Sequence, residues 1–482
     1  MKISEASSGP VFVPSRKEEC GIFGVYGNED AAKLAYFGLY ALQHRGQESA
    51  GIAVADGCQI SNYKHMGLVN DVFKEETLKS LRGYISVGHV RYSTTGSSLL
   101  ENAQPFVVFH GNDYYAIAHN GNLVNAVELR HELETQGAIF RSTMDTEIFM
   151  HLLARNLIYG LEEALVSALT QVQGAYSLVM STKDTLIGVR DPNGFRPLCL
   201  GEVNDSYVLA SETCALDLIE ATYIRDIEPG EVLIIDDNGM HSLFPFAKTH
   251  PSHCIFEFIY FARPDSNIFN QNVYMCRKRL GHLLAEETSS LTAEMVMPFP
   301  DSGNYAALGF AEKAEIPLEM GIIRNHYVGR TFIQPSQAMR DFSVRVKLNP
   351  VRDVLKGKSV ILVEDSIIRG TTTRTRTKAL RQAGAKEIHM VVSCPPHRFP
   401  CPYGIDFSTK GELIAASHSV EEIRDFIGLD SLHYLSLDGL LKGAGATRDN
   451  HSFCMACFTG EYPVDFKGEV RKNCFEDQKR RS

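Results

Sequence analysis

Between Ser359 and Arg374 the chain reads SVILVEDSIIRGTTTR, and here residue types and spacing specify chemistry. Glu364 and Asp365 stand side by side directly after the apolar run Ser359–Val363. Two carboxylates at the end of a buried strand are costly to keep unless they bind something. They suit ribose hydroxyls or a hydrated Mg²⁺, a hard cation that takes oxygen ligands. Ser366, Arg369 and Gly370 then lead into Thr371, Thr372 and Thr373. Free N–H groups at a helix start, hydroxyls beside them and a glycine that lets the backbone come close suit a phosphate. The stretch predicts an anion site flanked by diol-binding carboxylates.

Positioning those groups takes a strand over Ser359–Val363 buried on both faces, then a polar helix from Thr371 to about Ala383. Apolar strands at Ala293–Val296, Gly321–Ile323, Val360–Val363 and Glu387–Val392 alternate with helical segments. That alternation predicts an α/β unit with a doubly wound, mostly parallel sheet, whose ligands lie beyond the strands' carboxyl ends. The boundary with what precedes it falls between Asp236 and Pro251, where DDNGMHSLFPFAKTHP shifts toward turn formers.

The first half carries a different set of groups. Cys20 opens an apolar, glycine-interrupted run, EECGIFGV, that predicts a first strand starting at the cysteine. Dense polar clusters follow: Gln43–Gly51, Val87–Gly96, Ala118–Leu123 and Ser142–Glu147. Each lies between apolar segments, where a strand-rich scaffold would present a site on its loops. Taken singly, HNGN is equally an ordinary turn, and a lone cysteine is usually a small buried hydrophobe.

At 482 residues the chain is too long for one core, so two domains are expected. A hydrophobic fraction of 44% fits a globular enzyme, and a net charge of −10 argues against general nucleic-acid binding. Residues 1–19 lack the apolar core of a signal peptide, and no apolar run is long enough to span a membrane. Eleven irregularly spaced cysteines point to a reducing, cytoplasmic setting.

In order and wording, the clusters of the first half resemble the class II glutamine amidotransferases of the N-terminal-nucleophile hydrolase superfamily. With the stretch at 359–374, the chain from about 18 to 465 resembles the amidophosphoribosyltransferase family. The resemblance implies an α+β first domain, a four-layer αββα glutaminase over 20–250, after a leader, 1–19, removed in the mature protein. A type I phosphoribosyltransferase domain over 251–465 and a tail, 466–482, complete it. Cys20 would then be the mature N-terminus, its own α-amine taking the thiol proton. Asn120, by its side chain, and Gly121, by its N–H, would form the oxyanion hole. Arg91 would hold the glutamine carboxylate in a fork and Asp145 its ammonium, with Thr94 assisting.

For the second half the resemblance implies a phosphoribosyl pyrophosphate site. The loop Pro300–Ala307, with Asp301 and Ser302, would take the pyrophosphate. Glu364, Asp365, Ser366, Arg369, Gly370, Thr371 and Thr372 would hold the ribose phosphate. Ser302, Glu364 and Asp365 would surround one Mg²⁺ per subunit. Many members have two aspartates where this chain has Glu364–Asp365, and glutamate is one methylene longer. The basic segment from Asn325 to Asn349, with Arg330, Arg340, Arg345 and Lys347, resembles the family's mobile loop, which closes over the substrate.

Cys454-Met-Ala-Cys457 is by itself a zinc site, a redox pair or nothing. Family members with a leader and these cysteines bind a [4Fe-4S] cluster, which implies Cys254, Cys401, Cys454 and Cys457 as its ligands. Cys58, Cys199, Cys214, Cys276, Cys394 and Cys474 are expected to be ordinary small residues.

The implied activity is hydrolysis of glutamine at Cys20 and internal transfer of ammonia to phosphoribosyl pyrophosphate. The products are 5-phosphoribosylamine, glutamate and pyrophosphate, at the first committed step of purine synthesis. Purine nucleotides are implied as feedback inhibitors and a homotetramer or homodimer as the assembly, with neither nucleic acid nor membrane as partner. Two other readings differ in testable ways. A regulator that binds phosphoribosyl pyrophosphate without turnover should carry a basic DNA-binding domain instead of the first half. A glutaminase coupled to another synthase should lack the acidic pair with its Gly-Thr-Thr turn.

Overall fold

The computed structural model describes residues 20–92, 98–246, 251–325, 348–405, 409–450 and 452–466. The leader 1–19, Thr94, Arg330, Arg340, Arg345, Lys347, Cys474 and the tail beyond 466 lie outside the described residues.

Adjacent residues of the strand Gly21–Tyr26 serve two cores. Phe23 and Val25 pack under the helices Ala31–Ala41 and Thr213–Leu218, whereas Ile22 and Tyr26 face a second sheet. The period-two alternation of a strand makes this division possible, because successive side chains leave opposite faces. Gly21–Tyr26 lies inside a seven-stranded antiparallel sheet, between Ser206–Ala210 and Ile85–Arg91. A six-stranded antiparallel sheet, with Asp113–Leu123 and Gly174–Ser181 side by side, packs against it. The helices Ala126–Thr135, Thr146–Asn156 and Leu161–Leu169 cover its outer face. Two sheets between two helical layers make the αββα sandwich.

The second unit has a four-stranded parallel sheet in sequence order: Met295–Pro298, Ser359–Glu364, Glu387–Val392 and Ser431–Tyr434. The central strand Ser359–Glu364 is buried throughout, as its continuous apolar run requires, and helices share its core. The short parallel pair His253–Cys254 and Phe453–Cys454 joins the start of this unit to its end.

Three local expectations are corrected. The first strand of the parallel sheet enters at Met295 rather than Ala293, because Glu294 stays at the surface and accepts from Lys358 Nζ at 2.7 Å. The expected strand Gly321–Ile323 is Ile322–Arg324, and it lies outside the parallel sheet. It pairs antiparallel with Leu348–Pro350, and with only Ile322 buried it has no second face to pack. His119–Asn122 and Val87–Arg91 lie within strands rather than on loops. Among the described residues, no helix is long and apolar enough to cross a membrane.

Candidate active sites

Cys20 immediately precedes the strand Gly21–Tyr26, not within it. Its Sγ donates to Tyr92 O at 3.3 Å, one residue past Arg91. The register Gly21↔Val90 explains the meeting, since it brings the start of one strand to the end of the next. Arg91 is buried there, with Nη1 3.5 Å from Glu48 Oε2. The Cys20 carbonyl accepts from Arg45 Nε at 3.0 Å.

Asn120 and Gly121 lie on Asp113–Leu123, in the sheet packed against that of Cys20. Asn120 is 1% exposed, and its Nδ2 has no hydrogen-bond partner among the described residues. An unpaired buried donor is costly, and a developing oxyanion would satisfy it. Gly121 has φ +144°, and a Cβ there would lie 2.0 Å from Ala175 O, so only glycine fits. Two residues on, Leu123 N–H donates to Asp145 Oδ2 at 2.9 Å. Burial alone would raise Asp145, but the His119 ring and the Leu123 and Thr146 N–H groups outweigh it and hold the carboxyl below its usual range. A buried carboxylate that stays charged suits an ammonium.

Glu147, from the same sequence cluster, is architectural: it accepts from the N–H groups of Arg141 and Ser142 and from the Ser142 hydroxyl.

In the second unit the chain turns at Phe299, whose N–H donates to Val363 O at 2.8 Å, and this sets the next loop beside the acidic pair. Ser302 Oγ donates to Asp365 Oδ1 at 2.6 Å and Ser366 Oγ to Asp365 Oδ2 at 2.9 Å. Glu364, 2% exposed, ends the strand. These oxygens form a donor set suited to a hard divalent cation. The Asp301 carboxylate is engaged by Arg324. Gly370, at φ +70°, opens the helix Thr371–Gln382 in a left-handed conformation that favours glycine. Thr371 and Thr372 are exposed at the helix start, whereas Thr373, Thr377 and Leu380 form its buried face. Arg369 pairs with Glu412, and the Arg376 guanidinium lies 4.0 Å over the Phe299 ring, tying helix to loop.

Four cysteines gather at the back of this unit. Cys254 is the register partner of Cys454. Burial pushes the Cys454 thiol up to about 12, and Cys401 adds to the rise. Burial likewise raises Cys457 well above the ordinary thiol range, and Cys401, Cys454, Cys254 and Cys394 all act on it. Thiols so placed stay protonated unless a cation draws off the proton, so the donor chemistry fits iron or zinc. Among the described residues, no group of three or more His, Cys, Asp or Glu is arranged as a metal site.

Sequence reasoning gave no role to Glu48, His89, Gln104 or His119, which surround the first site, or to Glu257, which holds the Arg45 that meets the Cys20 carbonyl. His89, His119 and Glu48 stood inside the polar clusters, which was the available signal; Glu257 had none.

A glutamine amidotransferase domain model matches residues 89–218. The chain is similar to the amidophosphoribosyltransferase of Bacillus subtilis (strain 168), with 51% identity over 93% of this chain and 94% of the relative. The amidophosphoribosyltransferase of Methanocaldococcus jannaschii is 50% identical over 93% of this chain and 98% of its own. Among solved structures, a glutamine phosphoribosylpyrophosphate amidotransferase from B. subtilis, complexed with ADP and GMP, superposes with a TM-score of 0.89. It shares 49% identity over 94% of this chain and 99% of that one.

Proposed function

The chain belongs to the amidophosphoribosyltransferase family, and on that footing we propose how its residues divide the reaction. It is a glutamine-dependent pentosyltransferase: it hydrolyses glutamine and transfers the ammonia to phosphoribosyl pyrophosphate, giving 5-phosphoribosylamine, glutamate and pyrophosphate. The reading assigns glutamine hydrolysis to 20–250 and pentosyl transfer to 251–465, after a leader over 1–19 and before a tail over 466–482.

At the first site Arg91 and Asp145 bind the two ends of glutamine, with Thr94 assisting, and the Cys20 thiol attacks the side-chain amide. The Cys20 α-amine takes the thiol proton and returns it to the departing nitrogen. Asn120 Nδ2 and the Gly121 N–H receive the oxyanion of the tetrahedral intermediate. Ammonia leaves, and water cleaves the thioester to glutamate. The observation that carries this assignment is the buried Asn120 Nδ2, without a partner among the described residues, on the same strand segment as Gly121.

At the second site the helix start at Thr371 and Thr372, with Ser366, Arg369 and Gly370, receives the 5-phosphate, and Asp365 and Glu364 receive the ribose hydroxyls. Asp301 and Ser302 line the pyrophosphate side, with Arg330 and Lys347 contributing from the loop. Ammonia attacks C1 as the pyrophosphate oxygen departs. Asp365, Ser302 and Glu364 would hold Mg²⁺, which when bound offsets charge on the leaving pyrophosphate.

Cys254, Cys401, Cys454 and Cys457 are assigned to a [4Fe-4S] cluster with a structural role. Purine nucleotides are assigned as inhibitors, in keeping with the relative bound to ADP and GMP. A homodimer or homotetramer and a cytoplasmic location complete the reading. Comparing glutamine with ammonium as nitrogen source in Cys20→Ala and Asp365→Ala variants tests it.

A further inference from the structure

His119 is held by side chains on one edge of its strand, through both its N–H and its carbonyl. The strand Asp113–Leu123 pairs with Gly174–Ser181 from Ala116 to Leu123. Its other neighbour, Phe106–His110, pairs only between Asp113 and Ile117, so that ladder stops two residues before His119. At His119, side chains stand where strand backbone would be. Its N–H donates to Gln104 Oε1 at 2.8 Å, and its carbonyl accepts from His89 Nε2 at 3.1 Å.

The same contacts reach the glutamine-binding carboxylate. The His119 ring places Nδ1 at 3.2 Å from Thr146 Oγ1 and 3.5 Å from Asp145 Oδ1. Gln104 Nε2 donates to Thr146 Oγ1 at 3.3 Å, closing a ring of contacts. Gln104, His89 and His119 are all buried. Burial pushes His89 down to about 3, so its ring is neutral near pH 7 and its one N–H is committed to the His119 carbonyl. Asn120 is the next residue along the chain.

We propose that Gln104 and His89 are positioning residues for glutamine hydrolysis, clamping His119 by its N–H and its carbonyl along the open strand edge and so fixing the Asn120 amide and Gly121 N–H relative to Asp145. The proposal rests on reading Asn120 and Gly121 as the oxyanion donors. Misplacing a preorganised donor by about an ångström costs catalysis rather than binding.

The test uses the full chain carrying Gln104→Met or His89→Gln, each of which removes one side of the clamp. Glutaminase kcat is expected to fall about 10- to 100-fold. Glutamine KM and inhibition by glutamate should stay within about threefold, and ammonium-dependent synthesis should be unchanged. Should one variant not fold, the other decides. Asn120→Ala separates the two claims. If it keeps wild-type kcat, the oxyanion reading fails; if it loses kcat while the clamp variants do not, only the clamp is overturned. Combining Gln104→Met with Asn120→Ala should lose less than the product of the two single losses, because part of the clamp's effect passes through Asn120. A full, multiplicative loss in that double variant assigns Gln104 a general packing role and overturns the proposal.

Discussion

The Arg45 guanidinium donates to both oxygens of Glu257, from Nη1 to Oε2 at 3.0 Å and from Nη2 to Oε1 at 2.7 Å. Its Nη1 also reaches Glu212 Oε1 at 2.6 Å, and its Nε holds the Cys20 carbonyl. One buried side chain therefore ties the backbone of Cys20 to Glu257 in the second unit. Burial would raise Glu212, but His44, Arg45 and Ser266 outweigh it and keep the carboxyl well below its usual range.

Glu257→Ala should destabilise the chain by about 3 kcal/mol, because removing one partner of a buried pair strands the other charge. The loss is expected at this low end, since Glu212 still compensates Arg45. Denaturant unfolding of the full chain measures it, and an unchanged midpoint would remove the pair from the account of stability.

His89 makes stability depend on pH in a defined direction. Burial depresses its value from 6.5 to about 3, so the folded state keeps it neutral while the unfolded chain takes up a proton. Its contribution is complete above the unfolded value and is lost as pH falls toward the folded one. The slope is about 1.4 kcal/mol per pH unit. Unfolding free energies between about pH 4 and 6 should fall less steeply in His89→Asn by that amount; parallel slopes would contradict it.

Much of the second site was legible because its pieces are local. Strand, acidic pair, glycine turn and helix occupy one run, and the observed helix Thr371–Gln382 ends one residue before the expected Ala383. Glu257 was illegible for the opposite reason: it meets Arg45 across 212 residues, and no periodicity marks such a pair. Gln104 was missed because its task is to stand in for a strand that ends early, which is a property of the assembled sheet. The polar clusters were expected on loops because a strand-rich scaffold usually presents its site there. The structure buries His89 and Asn120 in strands, where the cost of desolvation is accepted for fixed geometry.

The mature protein is expected to begin at Cys20, because one residue can act as nucleophile and base only with a free α-amine. N-terminal sequencing of fully active enzyme checks this, and finding Met1 or Lys2 would refute it.

Anaerobically purified protein is expected to be brown and to contain four irons and four sulfides per chain if the four thiols hold a [4Fe-4S] cluster. Cys457→Ser should lose the colour and fold poorly, since binding free energy of a structural centre is folding free energy. Stoichiometric zinc without iron would assign the same thiols to a zinc site.

The two sites should fail independently. In Cys20→Ala, starting at residue 20, glutamine-dependent synthesis is expected to vanish, a loss of several orders of magnitude. Ammonium at high concentration should still yield phosphoribosylamine, because the second site needs only a nucleophile delivered to C1. In Asp365→Ala both routes should collapse. That variant removes the carboxylate that Ser302 and Ser366 address, and with it the hold on the ribose that aims C1 at the incoming nitrogen. Basal glutamine hydrolysis should survive Asp365→Ala, since Cys20, Asn120 and Asp145 belong to the αββα sandwich and not to the parallel-sheet unit. Phosphoribosyl pyrophosphate should no longer stimulate it, because a ligand that no longer binds cannot shift a conformational equilibrium. Steady-state rates with each nitrogen source, with and without phosphoribosyl pyrophosphate, read all four outcomes. Ammonium-dependent synthesis surviving in Asp365→Ala would move the pentosyl site away from the acidic pair, and its loss in Cys20→Ala would mean that ammonium reaches C1 only by way of Cys20.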